Sequence, residues 1–465
     1  TLTLTGGGTI GQTGAVHANA LTVTTTNGAI TLTNAGNAFN TATLATSGAD
    51  DTSLYDSQAL TITSANIGGD FTLSGGASIG QSGAIHSATL NVSSSSGPIS
   101  LTNTGNNFGP VYVATGGAND AALYNAPDLT LTGADVGGTL TLSSGGSILQ
   151  TGAIHAGALN AATTNGDIVL SNTGNAFATA ALSTSGTDDA TLYDASNLIV
   201  SSANIGGTLN LSGAGTIGQS GAILAAALNV ATTGGAITLT NTGNNFATAS
   251  LATGGTDDAS LYDASDLTVT SANVGGTLNL SGGGAVSQSG AIHSNGLNVT
   301  ATGAITLANT GNTFATASLS TPGGATLYDA SNLTITGATV GGTLALSGGG
   351  SIGQSGAIHA DALSVTTTNG AIVLTNAGNA FNTATLATSG ADDASLYDSL
   401  SLTIAGANIG GDLSLSGAGS IGQTGAILAA TLNVATTGGA IVLTNAGNSF
   451  GPATISTSGT DNASL

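Results

Sequence analysis

The chain has 465 residues, 22 of them acidic, no Lys or Arg, and a formal charge of −22 at pH 7. With no cation to meet a phosphate, that balance excludes nucleic-acid binding and disfavours docking on an anionic membrane. Cys, Met, Trp and Glu are all absent, so disulfides, thiolate metal sites and thiol catalysis are excluded, and no apolar run is long enough to span a bilayer. The start at Thr1, without Met or a leader, leads to the expectation of a fragment or a processed product whose export signal lies elsewhere.

Apolar residues make up 40% of the chain and are placed periodically, which argues against disorder. Leu21-Thr-Val23-Thr, Ile30-Thr-Leu32-Thr, Leu60-Thr-Ile62-Thr and Phe71-Thr-Leu73-Ser each set aliphatic or aromatic residues on one face and hydroxyls on the other. That period of two, rich in β-branched residues, predicts short strands. Gly-Gly, Asn-Gly and Asn-Ala-Gly-Asn punctuate them as tight corners. No helical periodicity appears.

The segment Gly-x-Ile-Gly-Gln-Ser-Gly-Ala-Ile recurs, with its glutamine at Gln12, Gln81, Gln150, Gln219, Gln288, Gln354 and Gln423. The spacing is 69 residues, except for 66 between Gln288 and Gln354. Asn-x-Gly-Asn-x-Phe keeps the same beat at Phe39, Phe108, Phe177, Phe246, Phe314, Phe381 and Phe450, and Leu-Tyr does so at Tyr55, Tyr124, Tyr193, Tyr262, Tyr328 and Tyr397. The chain is thus about 6.7 copies of one unit, 1–465 being one continuous array cut mid-repeat at both ends. The missing three residues fall between Leu297 and Ile305 and between Leu319 and Leu327. A packed strand cannot lose one residue without turning its side chains over. Both points are therefore expected to be turns, equivalent to Thr24–Asn27 and Ser47–Asp51 in the first copy.

Many short strands with one inward face and a rigid period predict an all-β fold, a right-handed parallel β-helix (β-solenoid). A unit of 69 would make about three coils averaging 23 residues, with adjacent coils about 4.8 Å apart. A propeller or sandwich array fits less well, because it needs more aromatic core than 3%.

Leu-Thr-Leu-Ser-Gly-Gly-x-Ile-x-Gln-Ser-Gly followed by Ile-Thr-Leu-Thr-Asn-x-Gly-Asn-x-Phe resembles the repeats of filamentous-haemagglutinin-like exoproteins. The resemblance covers the whole chain. It implies secretion by a two-partner route and service as a surface fibre or adhesin. The secretion domain of that family is not visible here.

Among candidate sites, one set of aspartates recurs as Asp50/Asp51/Asp56, Asp188/Asp189/Asp194, Asp257/Asp258/Asp263 and Asp392/Asp393/Asp398. Hard oxygen ligands suit Ca2+, the one cofactor the sequence suggests. The competing and stronger reading is a solvated acidic loop that keeps neighbouring rods apart. His17, His86, His155, His293 and His359 lie about three coils apart, roughly 14 Å, too far to share a metal. Leu224 and Leu428 stand at equivalent positions, so partly buried packing is expected there. Phe and Tyr are expected to fill corners, and the Asn pairs such as Asn34 and Asn37 to form turns. Outward Thr22/Thr24, Thr31/Thr33 and Thr61/Thr63 have the local form of an ice-binding array, but Asn91, Ser93 and Asn229 interrupt it. Repeated surface loops are not a pocket, so no enzyme is expected.

The expectation is therefore a secreted structural protein of the extracellular space or bacterial cell surface. Its partners would be copies of itself, head to tail or side by side. An adhesin stalk would instead reach a glycan or cell-surface receptor through regions not present in this chain.

Overall fold

A computed structural model describes residues 1–465, and all its regular structure is β-strand. The chain divides into two compact units, Thr1–Thr232 and Thr233–Leu465. Each unit is a β-solenoid of stacked parallel coils.

In the first unit the alternating pattern drives the packing. Leu21, Val23, Ile30, Leu32, Phe39, Leu44, Leu54, Leu60, Ile62, Phe71 and Leu73 are all buried, while the hydroxyl residues between them face outward. Equivalent depths stack into ladders. One runs Leu32, Leu54, Leu73, Val92, Val113, Ala134, Ile154, with steps of 22, 19, 19, 21, 21 and 20 residues. The second unit repeats it as Leu307, Leu327, Leu346, Val365, Leu386, Ala407, Ile427, with steps of 20, 19, 19, 21, 21 and 20. Every neighbour in these ladders is parallel. Burying a leucine on such a ladder is worth about 1.5–3 kcal/mol.

A coil therefore takes 19–22 residues along these ladders, not the expected 23. The reason lies at the corners. Strands His17–Thr25, Ala38–Ala45 and Leu60–Asn66 look continuous, yet the ladder skips Asn19 opposite Asn40 and gains a residue at Thr63. Each of these strands bends around a corner and supplies two sides. The ladder from Leu32 to Ile154 covers 122 residues in six coils, so a 69-residue repeat makes about 3.4 coils.

Because that number is not whole, successive repeats are turned relative to one another. The turn at Thr26 lies under Ser47, whose Oγ donates to the Thr26 carbonyl. The equivalent Ser95 keeps that arrangement, with Gly116 N of the coil above donating to Ser94 O at 2.8 Å. Equivalent residues of neighbouring repeats are roughly 16 Å apart along the axis and on different sides. That distance is about 3.4 coils at the usual strand spacing.

The coupled deletions are also explained. The short turn at Gly303 and the short loop at Pro322–Gly324 lie on adjacent coils, joined by Thr321 Oγ1 donating to Gly303 O at 2.5 Å and Ile305 N donating to Gly324 O at 3.0 Å. Shortening one turn removes the support of the other. Gly68 marks a second kind of corner, where a Cβ would overlap the Gly48 carbonyl oxygen.

One core position departs from the rest. Thr52 is 1% exposed and its hydroxyl has no hydrogen-bond partner. Ala121, Ala190, Ala259, Ala325 and Ala394 occupy the matching place in other copies. Thr52→Ala is expected to raise the unfolding free energy by about 1 kcal/mol, since an unsatisfied buried hydroxyl costs about 1–3 kcal/mol and the lost methyl returns part of it. Urea denaturation of the two proteins checks this.

Candidate functional site

The polar side chains of this chain gather at the coil corners, where the strand ladders leave backbone groups unpaired. Asn37 is the innermost. It is fully buried, and its Nδ2 donates to Gln12 Oε1 at 2.8 Å, Leu32 O at 3.1 Å and Tyr55 O at 3.3 Å. Its Oδ1 accepts from Gln12 Nε2 at 2.7 Å and Val16 N at 3.0 Å. One amide thereby ties together three successive coils. The reciprocal amide pair recurs as Gln81–Asn106, Gln150–Asn175, Gln288–Asn312, Gln354–Asn379 and Gln423–Asn448. Asn34, by contrast, forms the expected turn, its Oδ1 accepting from Gly36 N at 2.9 Å.

The acidic sets are split between a surface loop and the interior. Asp56, Asp194, Asp263, Asp329 and Asp398 are each fully buried, which overturns the solvated-loop expectation for the third member of each set. Asp56 Oδ2 accepts from Phe39 N of the preceding coil at 3.0 Å, and Oδ1 from Gln58 N at 3.0 Å. Asp194 accepts from Phe177 N, Ser196 N and Ser196 Oγ at 2.7, 2.6 and 2.7 Å. Asp263 and Asp329 repeat that set on Phe246/Ser265 and Phe314/Ser331, and Asp398 on Phe381 and Leu400. A carboxylate only accepts, and these corners offer only N–H and O–H donors.

The outer pair points elsewhere. Asp50 Oδ2 accepts from Gly28 N below it at 2.7 Å, and Asp51 Oδ1 from Asp70 N above it at 2.8 Å. Asp188 and Asp392 hold Gly166 N and Gly370 N, while Asp189, Asp258 and Asp393 hold Thr208 N, Thr277 N and Asp412 N. Asp257 belongs to the same loop of its repeat, its carbonyl accepting from Thr253 Oγ1 at 2.8 Å. The three carboxylates of a set therefore serve three separate backbone partners. No group of three or more His or Asp side chains converges where it could hold a metal ion.

The second repeat shows the rule by exception. Asn125 stands in the buried place, accepting from Phe108 N at 3.1 Å and donating to Phe108 O at 2.9 Å and Asp128 O at 2.7 Å. Two residues on is Pro127, which has no N–H to offer a second oxygen. Amide and proline change together.

The histidines differ from expectation. All five are exposed, as are Leu224 and Leu428 at 40% and 38%. They directly follow an inward residue, Ile85 before His86 for example, and so point outward. The tyrosines of the Leu-Tyr motif are half-buried on outward columns such as Tyr55–Ser74–Ser93–Ala114. The phenylalanines from Phe39 to Phe381 are core residues. Outward Thr22 neighbours Thr3 and Thr43, but the row continues into Ser64, so the hydroxyl array is mixed.

Burial pushes the carboxyls of Asp56 and Asp398 above the ordinary value of 3.8, against the lowering effect of the N–H bonds from Gln58, Phe39 and Ser57 to the first and from Leu400 and Phe381 to the second. Their folded pKa exceeds the unfolded one. The stability they contribute is full below the unfolded value and is lost as pH rises through the folded value. The melting temperature is expected to rise as pH is lowered from 7 towards 4, as thermal scans would show. Asp56→Asn alone should lower stability at pH 7 by about 1–3 kcal/mol, because it turns an amide NH2 or an unshared oxygen on Gln58 N–H. The double change Asp56→Asn with Gln58→Pro copies the second repeat and should restore most of it.

A family model described as repeats of unknown function (DUF5649) matches residues 1–46, 49–115, 118–184, 187–253, 256–321, 323–388 and 391–457. No curated protein and no solved structure matches the chain.

Proposed function

The chain belongs to this family of repeats, and we propose that its role is mechanical: a stiff extracellular element, part of a fibre or filament at a cell surface. The observation that carries the reading is the coil-to-coil clamp. At corner after corner, a buried Asn or Asp ties a coil to its neighbours through hydrogen bonds such as Asn37–Gln12 and Asp56–Phe39 N. Such a stack resists bending and local opening, because each corner group is satisfied only when the coils are in register. Chemistry is not what these groups are arranged for. The carboxylates are already bound to backbone N–H groups of the protein itself.

The composition supports exposure outside the cell. There is no Lys or Arg for trypsin-like proteases, and no Cys or Met to oxidise. The charge of −22 would keep fibres apart until a cation or acid screens it. Copies of the chain associating end to end or side by side are the first partners to test. A second reading, the stalk of a secreted adhesin, draws on the resemblance of the Gln-Ser-Gly and Asn-x-Gly-Asn-x-Phe motifs to filamentous-haemagglutinin-like repeats.

Electron microscopy of the native material, with immunogold labelling of intact cells, tests both. Extended filaments on or outside the cell whose oriented fibres diffract at about 4.8 Å along the axis are expected. Rods that end in a knob would favour the stalk. Compact intracellular particles would sink the proposal. Asn106→Leu, which takes from Gln81 its partner amide and from Tyr124 O the Asn106 donor, is expected to cost about 3 kcal/mol and to speed hydrogen exchange in the coils around it.

A further inference from the structure

Three turns of the chain carry Asn followed by Gly: Asn27–Gly28, Asn165–Gly166 and Asn369–Gly370. All three asparagines are exposed, and the glycines adopt φ of 148°, 139° and 147°, a region that favours glycine. Glycine after asparagine leaves the backbone nitrogen open to attack the side-chain amide. We infer that Asn27, Asn165 and Asn369 are deamidation sites, and that Asp50, Asp188 and Asp392 hold them in check.

The chemistry is intramolecular. The Gly28 nitrogen attacks Asn27 Cγ and a C–N bond forms. The bond from Cγ to the side-chain nitrogen breaks, and ammonia leaves with the proton given up by the Gly28 nitrogen. Water then opens the succinimide to aspartate or isoaspartate. The net reaction consumes one water and releases one ammonia, with no oxidant or reductant.

The nitrogen must shed its proton to attack, and the structure places a carboxylate on that proton. Asp50 Oδ2 accepts from Gly28 N at 2.7 Å, Asp188 Oδ2 from Gly166 N at 2.8 Å and Asp392 Oδ2 from Gly370 N at 2.7 Å. Nitrogen that is losing its proton gains negative charge, and a carboxylate at hydrogen-bond distance opposes it. The same bond ties the N–H to the next coil. Both flanks of the turn are also tied. Thr25 Oγ1 donates to Gly28 O at 2.6 Å, and Ser47 Oγ donates to Thr26 O. Thr163 and Ser185 do so around Asn165, and Thr367 and Ser389 around Asn369. The fourth Asn–Gly, Asn295–Gly296, has no such carboxylate and lies inside strand Ile292–Ala301, held between Thr277 and Thr316.

This assignment gives the outer aspartates a purpose beyond closing the corner. Each deamidation would add a negative charge beside the aspartate of that turn and, as isoaspartate, one backbone atom to a turn that stacks in register. The inference stands apart from the proposed mechanical role, since it concerns the turn and not what the coils bear.

Asp50→Asn removes the charge and leaves an oxygen to accept from Gly28 N; Asp50→Ala removes both. Folded protein is aged at mildly alkaline pH, cut with a protease that does not need Lys or Arg, and mapped by mass spectrometry. Asn165 and Asn369 of the same molecules serve as internal controls. Deamidation at Asn27 is expected to quicken roughly tenfold over the two controls in both variants, the effect of one pKa unit at the nitrogen. Asp188→Asn, read at Asn165, repeats the test on another turn should the first variants lose their fold. A rate at the altered turn equal to the controls overturns the inference. So does a slower rate, which would mean the carboxylate acts as a base.

Discussion

Backbone closure at the corners is the constraint on which everything else rests. Along the flat sides, parallel ladders satisfy N–H and C=O groups without help from side chains. At a corner the chain turns and the ladder breaks, so peptide groups point into a dry interior with no strand opposite. Leaving one unpaired there costs about 1–3 kcal/mol. The chain meets that cost with three residue types matched to what each corner lacks. Asn37 serves where both donors and acceptors are missing, since an amide supplies both. Asp56 serves where only donors need a partner. Asn125 returns where Pro127 has removed one of those donors.

That logic accounts for an otherwise odd charge pattern. Fully buried carboxylates usually need a cation nearby, yet this chain has none to give. Two or three N–H and O–H donors per carboxylate take that place, and for Asp56 and Asp398 they do not fully offset burial. Asp50, Asp51, Asp128 and Asp167 lie at other turns, where each accepts from a neighbouring coil. The acidity of the chain is therefore a by-product of how its corners are closed, and its stability is tied to pH through groups that lie inside it.

Much of the fold was readable from residue order. The alternation in Leu21-Thr-Val23 and Ile30-Thr-Leu32 placed the strands and their inward faces, because side-chain direction in a strand depends only on parity. The paired deletions near Gly303 and Pro322 located two turns, since a strand cannot absorb an odd loss. The sites were less readable. The aspartate sets looked like solvent-facing or calcium-binding loops, and the histidines like packing residues. Alternation alone would have shown His86 outward, immediately after inward Ile85. The same alternation puts Asp56 inward, two residues after Leu54 in strand Thr52–Asp56, but only the fold shows the Phe39 N–H of the preceding coil that its carboxylate meets there.

What the sequence determined by itself was the strand period, the 69-residue unit and a parallel solenoid, because these follow from patterns within a few residues or from one copy to the next. What only the tertiary structure decided was the length of a coil, and with it which residues meet. Gln12 finds Asn37 at a separation of 25 residues, and Phe39 finds Asp56 at 17. Neither number is a factor of 69. They arise because corner residues such as Asn19 and Thr63 bend single strands around two sides, so the coil length and the repeat length are not commensurate and each copy is turned to a new face.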